Sequence, residues 1–362
     1  MTTPSDRVRT ALRGVEDPAT GQRIVSTGQL ADVRAQGDAL GLTINLISPG
    51  YPHRDALESA IRSALAEAGL PDPQIDWALK VPQKPARQDK NRLPTVKNVI
   101  AVAAGKGGVG KSTVSVNVAM ALRQLGARVG ILDADIYGPS VPKMLGKADR
   151  EPGTAVGNDG IAPALYRDIA VMSVEFFVEP GNAVIWRGPM IHKLLTQFLE
   201  DVRWGDLDYL VVDLPPGTGD AQLSLCQLIP ITGSIVVTTP QEVALIDVRK
   251  AVNMFKKLEV PVLGVAENMS HYRCPACGHV DEIFGAGGGK RLSEELGVEL
   301  LTRIPIDPKI AFGGEAGKPV VEVDPEGEQA KAFFDLAAKA ALGASTRSAT
   351  GPKRSSLLRT VD

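Results

Sequence analysis

Eight residues, Gly105-Lys106-Gly107-Gly108-Val109-Gly110-Lys111-Ser112, constrain this chain more than any other stretch. The apolar run NVIAVAA (98–104) leads into them and a helical pattern, KSTVSVNVAMALRQLG (111–126), follows. A glycine-rich turn of the form G-x-x-x-x-G-K-[ST], set between a strand and a helix, turns consecutive backbone N–H groups onto phosphate oxygens. The positive end of the following helix stands behind them. More strand–helix alternation follows. RVGILDAD, DYLVVDLPP, GSIVVTTP, VPVLGVAENM and LLTRIPID are short, rich in Val, Ile and Leu, and mostly unalternating. Such runs fit strands covered on both faces, so the expected fold is α/β with a mostly parallel doubly wound sheet. Helices are expected at 188–202, 243–258, 287–297 and 327–343.

Residues 1–81 read as a separate small α/β unit: a helix near 6–15, a strand over ALGLTINLI, an amphipathic helix over 53–69 and a short closing strand, PQIDWAL. Residues 82–96 are Pro-rich and charged and read as a linker. The main domain is expected over 97–344. The Ser/Arg-rich end, 345–362, is expected to be disordered. No internal repeat is visible.

Within the main domain, Lys111 is expected on the β- and γ-phosphates, Ser112 on Mg²⁺, and Thr113 at the α-phosphate. Gly105, Lys106, Gly107, Gly108, Val109 and Gly110 form the cradle. Asp213 ends an apolar strand, where a carboxylate is costly unless it faces a cation or its water shell, which marks it as the Walker B aspartate. In the Pro-Pro-Gly-Thr-Gly after it, the Gly217 N–H is expected at the γ-phosphate. Asp135 is the candidate to orient an attacking water; the alternative is that Asp133 and Asp135 cap a loop.

The loop with its extra lysine at the second position, Lys106, resembles the deviant Walker A motif. That motif marks the family of MinD, ParA, the nitrogenase iron protein and the Mrp/ApbC scaffold ATPases. The resemblance implies that Lys106 reaches across a homodimer interface to the partner's ATP, acting as an arginine finger does.

Net charge is −2 over 362 residues, which gives no global pull toward nucleic acid or acidic membrane. The start MTTPSDRVRT lacks the apolar run of a signal peptide, and no stretch of about 18 apolar residues occurs. The three cysteines, Cys226, Cys274 and Cys277, exclude a disulfide framework and suit a reducing cytoplasm. Cys226 sits in an amphipathic helix pattern and reads as a small buried apolar residue.

The pair Cys274 and Cys277 admits three readings. One is a structural zinc site recruiting His271 or His279; another is a redox dithiol; the third is half of a four-thiolate site completed by a second chain. The surrounding ENMS, C-P-x-C-G, IFG with GGG, WRGPM (186–190), DLPPGTGD and DADIYGPS resemble the Mrp/ApbC iron–sulfur carrier ATPases over residues 97–342. That resemblance favours a [4Fe–4S] cluster bridging two subunits. It also places Asn268 at the adenine, with backbone near Pro305 closing the base pocket. Residues 5–81, through VEDPATGQRIVSTGQL and ISPGYPHRDALESAIRSAL, resemble the small domain fused to many Mrp proteins and found alone in cytosolic iron–sulfur maturation factors. Many such domains carry a cysteine where this chain has Tyr51, so thiol chemistry is not expected there, and His53 reads as a surface residue.

The resemblance therefore implies a homodimeric, cytoplasmic ATPase that uses Mg²⁺ and ATP, holds an iron–sulfur cluster and delivers it to apoproteins alongside cluster-assembly factors. Nucleic acid and membrane are not expected partners. The alternative is a ParA/MinD-type positioning ATPase without a cluster. It would need a basic face or an amphipathic anchor, and the tail GPKRSSLLRTVD is too poor in apolar residues for an anchor.

Overall fold

The computed structural model describes residues 3–36, 39–83, 92–154, 160–177 and 188–351. The chain divides into two compact units, one of residues 1–85 with the chain end from Ser345, the other of residues 86–344.

In the N-terminal unit, Thr3 caps the helix Pro4–Ala11 through a reciprocal capping box with Asp6. Strand Ala39–Leu46 lies centrally, antiparallel to Leu30–Gln36 and parallel to Gln74–Leu79. The helix Arg54–Glu67 makes the crossover between the parallel pair. Its Leu57, Ile61 and Leu65 repeat every four residues and are buried, and Leu40, Leu42 and Ile44 of the central strand are buried at every second position. Leu30–Gln36 was not anticipated. A register shift between Leu30 and Asp32 breaks its alternation, so the period-two signal is lost.

The larger unit holds an eight-stranded sheet in the order Glu299–Arg303, Val262–Glu267, Gly233–Thr238, Val96–Ala104, Leu207–Asp213, Val129–Asp133, Ile169–Ser173 and Ala164–Tyr166. Every neighbouring pair is parallel except the last, which is antiparallel. Strands Leu207–Asp213 and Gly233–Thr238 are buried along their whole length, which is why their sequences show no alternation. The expected helices are found at Gly188–Glu200, Glu242–Lys257, Gly288–Leu296 and Glu328–Thr350.

Two boundaries shift from the sequence reading. Leu93 and Val96 are buried in the core of the sheet domain, so the linker ends earlier than residue 96. Helix Glu328–Thr350 runs through the start of the expected disordered tail, with Ser345 and Ser348 buried. Small Ala, Ser and Thr residues there keep helical periodicity despite their polar composition. Residues 352–362 of the tail, 84–91 of the linker, and Trp186 and Arg187 of WRGPM lie outside the described residues.

Candidate functional site

The P-loop joins strand Val96–Ala104 to helix Lys111–Gln124 at the centre of the sheet. Gly108 and Gly110 both have φ of +83°, a conformation that side chains resist. Steric fit is equally demanding. A Cβ on Gly105 would lie 2.4 Å from the Asp247 carbonyl carbon, and one on Gly110 would lie 2.2 Å from Asn268 Nδ2. Built Cβ atoms on Gly107 and Gly108 meet nothing within 4 Å, so this edge of the loop opens outward. A curled, open-edged backbone at a helix N-terminus is a cradle suited to phosphate.

Sheet register assembles the carboxylates. Asp213 lies opposite both Val102 of the P-loop strand and Asp133 of its other neighbour. Asp213 is fully buried, and its Oδ2 accepts hydrogen bonds from Lys111 Nζ at 2.7 Å and Ser112 Oγ at 2.6 Å. Its Oδ1 accepts from Ser115 Oγ at 2.6 Å. Lys111, itself buried, also approaches Asp135 Oδ2 at 3.4 Å. A hydroxyl and a carboxylate meeting at one point are hard oxygen donors of the kind Mg²⁺ takes, so the donor set fits that ion.

Asp133 and Asp135 part company. Asp133 Oδ2 accepts the N–H groups of Ser140 and Val141 and the Ser173 hydroxyl, and its Oδ1 accepts the Asp135 N–H. It is a loop cap. Burial, reinforced by the charge of Asp213, pushes its pKa up to about 7. Burial also raises Asp135, against the pull of Lys111. Asp135, unlike Asp133, faces the Lys111 ammonium.

The other expected residues are placed as follows. Thr113 stands in the first helical turn, its carbonyl accepting from Asn117. Lys106 is half-buried and makes no ion pair with a described residue. Gly217, at φ +94°, donates its N–H to Ala104 O at 3.0 Å. Asn268 is buried and donates from Nδ2 to Val109 O at 2.9 Å, so it braces the P-loop directly. Pro305 is buried and follows Ile304, which bonds Glu267 through its N–H and Ser270 through its carbonyl. Ser115 was not singled out from sequence. Its signal is the Ser112/Ser115 spacing of three, which puts both hydroxyls on one helix face.

Cys274 and Cys277 occupy the tip of a hairpin formed by Tyr272–Arg273 and Val280–Asp281. Cys274 N–H donates to His279 O and Gly278 N–H to Cys274 O, each at 2.8 Å, with Gly278 at φ +73°. The turn brings the backbone N–H groups of Cys277 and Ala276 onto the Cys274 sulfur, which lowers its pKa. Cys277 is exposed and Cys274 half-buried. His271 turns elsewhere, to Ser270 Oγ at 2.8 Å and Glu328 Oε1 at 3.4 Å. Among the described residues no three His, Cys, Asp or Glu side chains gather to hold a metal ion, so the single-chain zinc arrangement is not formed. Cys226 is buried and its thiol is pushed up to about 12 by burial, as an inert packing residue.

In the N-terminal unit, Tyr51 is buried and donates from its hydroxyl to the fully buried Asp17 at 2.7 Å. Gln29 Nε2 and the N–H groups of Ala19 and Thr20 complete the shell of Asp17. Burial, then the bond to Asp17, raises the Tyr51 pKa and keeps it a neutral donor. The side chain at the thiol position of similar domains is here part of a closed polar cluster.

Residues 95–341 match the NUBPL iron-transfer P-loop NTPase family, and residues 5–75 match the iron–sulfur cluster assembly protein family. The "iron-sulfur cluster carrier protein" of Haemophilus influenzae is 43% identical over 336 residues, covering 92% of this chain and 90% of that protein. The protein of the same name from Deinococcus radiodurans is 44% identical over 334 residues, covering 92% and 93%. Among solved structures, a nucleotide-binding protein from Archaeoglobus fulgidus, in complex with ADP and with cobalt found, superposes with a TM-score of 0.58. It shares 38% identity and covers 67% of this chain and 94% of its own. The cell division ATPase MinD of Pyrococcus furiosus gives a TM-score of 0.50 at 25% identity, covering 67% and 97%. No helix among the described residues is long and apolar enough to cross a membrane.

Proposed function

The chain belongs to the NUBPL iron-transfer P-loop NTPase family, and from that premise we propose that it is an ATP-hydrolysing iron–sulfur cluster carrier working as a homodimer. The observation that carries the reading is the Cys274–Cys277 hairpin. It presents two accessible thiols, one with its thiolate favoured by backbone N–H groups, and no third ligand among the described residues of its own chain. Two thiolates leave a [4Fe–4S] cargo half-ligated, and a second copy supplies the other two.

In the nucleotide site, bound Mg²⁺ supplies charge neutralisation at the phosphates. Ser112 and Asp213 are the residues to hold it. The cradle from Gly105 to Gly110 orients the phosphates, Lys111 turns from Asp213 toward their charge, and Thr113 serves the α-phosphate. Asp135 orients water at the open edge. Asp133 is spent on its loop cap, which leaves no strong general base and makes slow turnover the expectation. Lys106, unpaired within its described surroundings, is suited to a partner's nucleotide. The pocket for the base is assigned to the neighbourhood of Asn268 and Pro305, and Gly217 to a switch that exchanges its Ala104 bond for phosphate. Apoproteins and assembly factors are the partners, the N-terminal unit is a docking module, and the free thiols suit a reducing cytoplasm. The match of residues 5–75 to an iron–sulfur cluster assembly family, and relatives named for cluster carriage, favour this reading over a positioning ATPase of the ParA/MinD type.

Anaerobic reconstitution with iron and sulfide, followed by visible thiolate–iron absorbance, tests the reading. Wild type is expected to take up one cluster per two chains and Cys277→Ala none. Uptake by the variant equal to wild type refutes the assignment.

A further inference from the structure

The strand Val262–Glu267 ends in a fully buried carboxylate, Glu267, immediately before the residue that holds the P-loop carbonyl, Asn268. Buried carboxylates require partners, and Glu267 has two kinds. Its Oε2 accepts the backbone N–H of Gly289, in the first turn of helix Gly288–Leu296. The glycines there are obligatory on packing grounds: a Cβ on Gly289 would lie 2.7 Å from Glu267 Oε2, and one on Gly288 would lie 2.4 Å from Pro240 O. Its Oε1 accepts Arg303 Nε at 2.9 Å.

Arg303 then continues outward. Its Nη2 donates to Glu282 Oε1 at 3.1 Å, and Glu282 directly follows the hairpin strand Val280–Asp281. One guanidinium thus bonds both the carboxylate beside the P-loop brace and the base of the hairpin that carries Cys274 and Cys277. The planar fork of arginine suits this double duty; a lysine cannot hold two carboxylates in fixed directions. The hairpin's other leg continues the chain from Asn268 through residues 269–271, where the Ser270 N–H donates to Ile304 O and the Ile306 N–H to His271 O, and it carries a second side-chain tie. Arg273, next to Cys274, donates from Nε to Glu328 Oε2 at 2.8 Å, on helix Glu328–Thr350, with no bond from Glu328 to Glu267 or the P-loop.

We infer that Arg303, bridging Glu267 and Glu282, is a positioning residue that transmits the state of the P-loop to the cysteine hairpin. The route is short and made of discrete contacts: Val109 O to Asn268, one peptide unit to Glu267, then Arg303 to Glu282. A change at Val109 on phosphate binding shifts the Asn268–Glu267 strand end, and Arg303 carries that shift to the hairpin base. By linkage, whatever the hairpin holds alters nucleotide affinity by the same factor. This rests on the proposed carrier reading for its biological use, but its test does not need a cluster.

Hydrogen exchange of the hairpin amides, residues 272–281, is measured in cluster-free full-length protein with and without a non-hydrolysable ATP analogue and Mg²⁺. Wild type is expected to show a nucleotide-dependent change of at least about 5-fold in these amides, the low end of typical coupling. Glu282→Gln, which spares the Arg303–Glu267 pair, should reduce the change to less than about 2-fold while binding the analogue as wild type does. Glu328→Gln also loosens the hairpin but should retain the nucleotide-dependent change, whereas a merely structural role would make the two variants alike. The inference is overturned if wild type shows no change, if Glu282→Gln keeps it, or if both variants lose it equally. Failure of cluster uptake by wild type would sink the carrier reading alone and leave this exchange result standing.

Discussion

Replacing Lys111 by Ala isolates the electrostatics that hold the nucleotide site together. Lys111 Nζ stands 2.7 Å from Asp213 Oδ2 and 3.4 Å from Asp135 Oδ2, while Asp133 lies beside Asp213 across the sheet register. Without the ammonium, three buried carboxylates face one another with no cation among them. Removing one partner of a buried pair costs about 3–5 kcal/mol, so about 3 kcal/mol is expected at pH about 8, once some relaxation is allowed for. For a domain of this size that lowers Tm by roughly 6–12 °C. Asp213→Asn should cost less, about 2 kcal/mol, because Asp135 still accompanies Lys111 and the repulsion on Asp133 is relieved. The pH dependence has a definite sign. Asp133 and Asp135 already have raised pKa values, and losing Lys111 raises them further. A carboxyl whose folded pKa is raised contributes most below its unfolded value and loses that contribution as pH rises through the folded one. The Lys111→Ala deficit should therefore shrink on acidification from about pH 8 to about pH 5. Calorimetry of nucleotide-free protein at the two pH values, with far-UV circular dichroism to confirm the fold, measures it. The reasoning is refuted if Lys111→Ala matches wild type at the higher pH, if its deficit grows on acidification, or if Asp213→Asn is the worse of the two.

Two further outcomes are expected. Lys106→Gln should lower ATP turnover about 10²-fold, the scale of losing one transition-state donor, while changing ATP affinity far less than Lys111→Ala does in equilibrium binding. Equal loss of affinity in the two variants would count against a role in trans. Tyr51→Phe removes a 2.7 Å bond from the fully buried Asp17 and should cost the N-terminal unit about 1–3 kcal/mol by chemical denaturation, with ATP affinity unchanged.

Much of the main domain was legible in advance because its elements are local. Six parallel strands announced themselves as short apolar runs, and the P-loop as a spacing of glycines. What was missed lacked a local signal. Leu30–Gln36 is bulged, and Ala164–Tyr166 is only three residues long, too short to show a period. The start of the tail, residues 345–350, differs from the sequence reading because Ser- and Thr-rich composition reads as polar, although Ser345 and Ser348 are buried in a helix.

Residues 105–112 and the cysteine pair were recognisable as candidates from sequence alone, since each is a pattern of near neighbours in the chain. Division of labour among the carboxylates was not. Asp133 and Asp135 are two residues apart, and the sequence ranks Asp135 first only by its place past the strand end. Only the folded loop, by bringing the N–H groups of Ser140 and Val141 onto Asp133, makes one a cap and leaves the other to Lys111. Likewise Tyr51 meets Asp17 across 34 positions, and Arg303 meets Glu267 across 36 and Glu282 across 21. Buried charges must find partners wherever packing supplies them, and those partners are chosen by three-dimensional neighbourhood, which no spacing in the chain encodes.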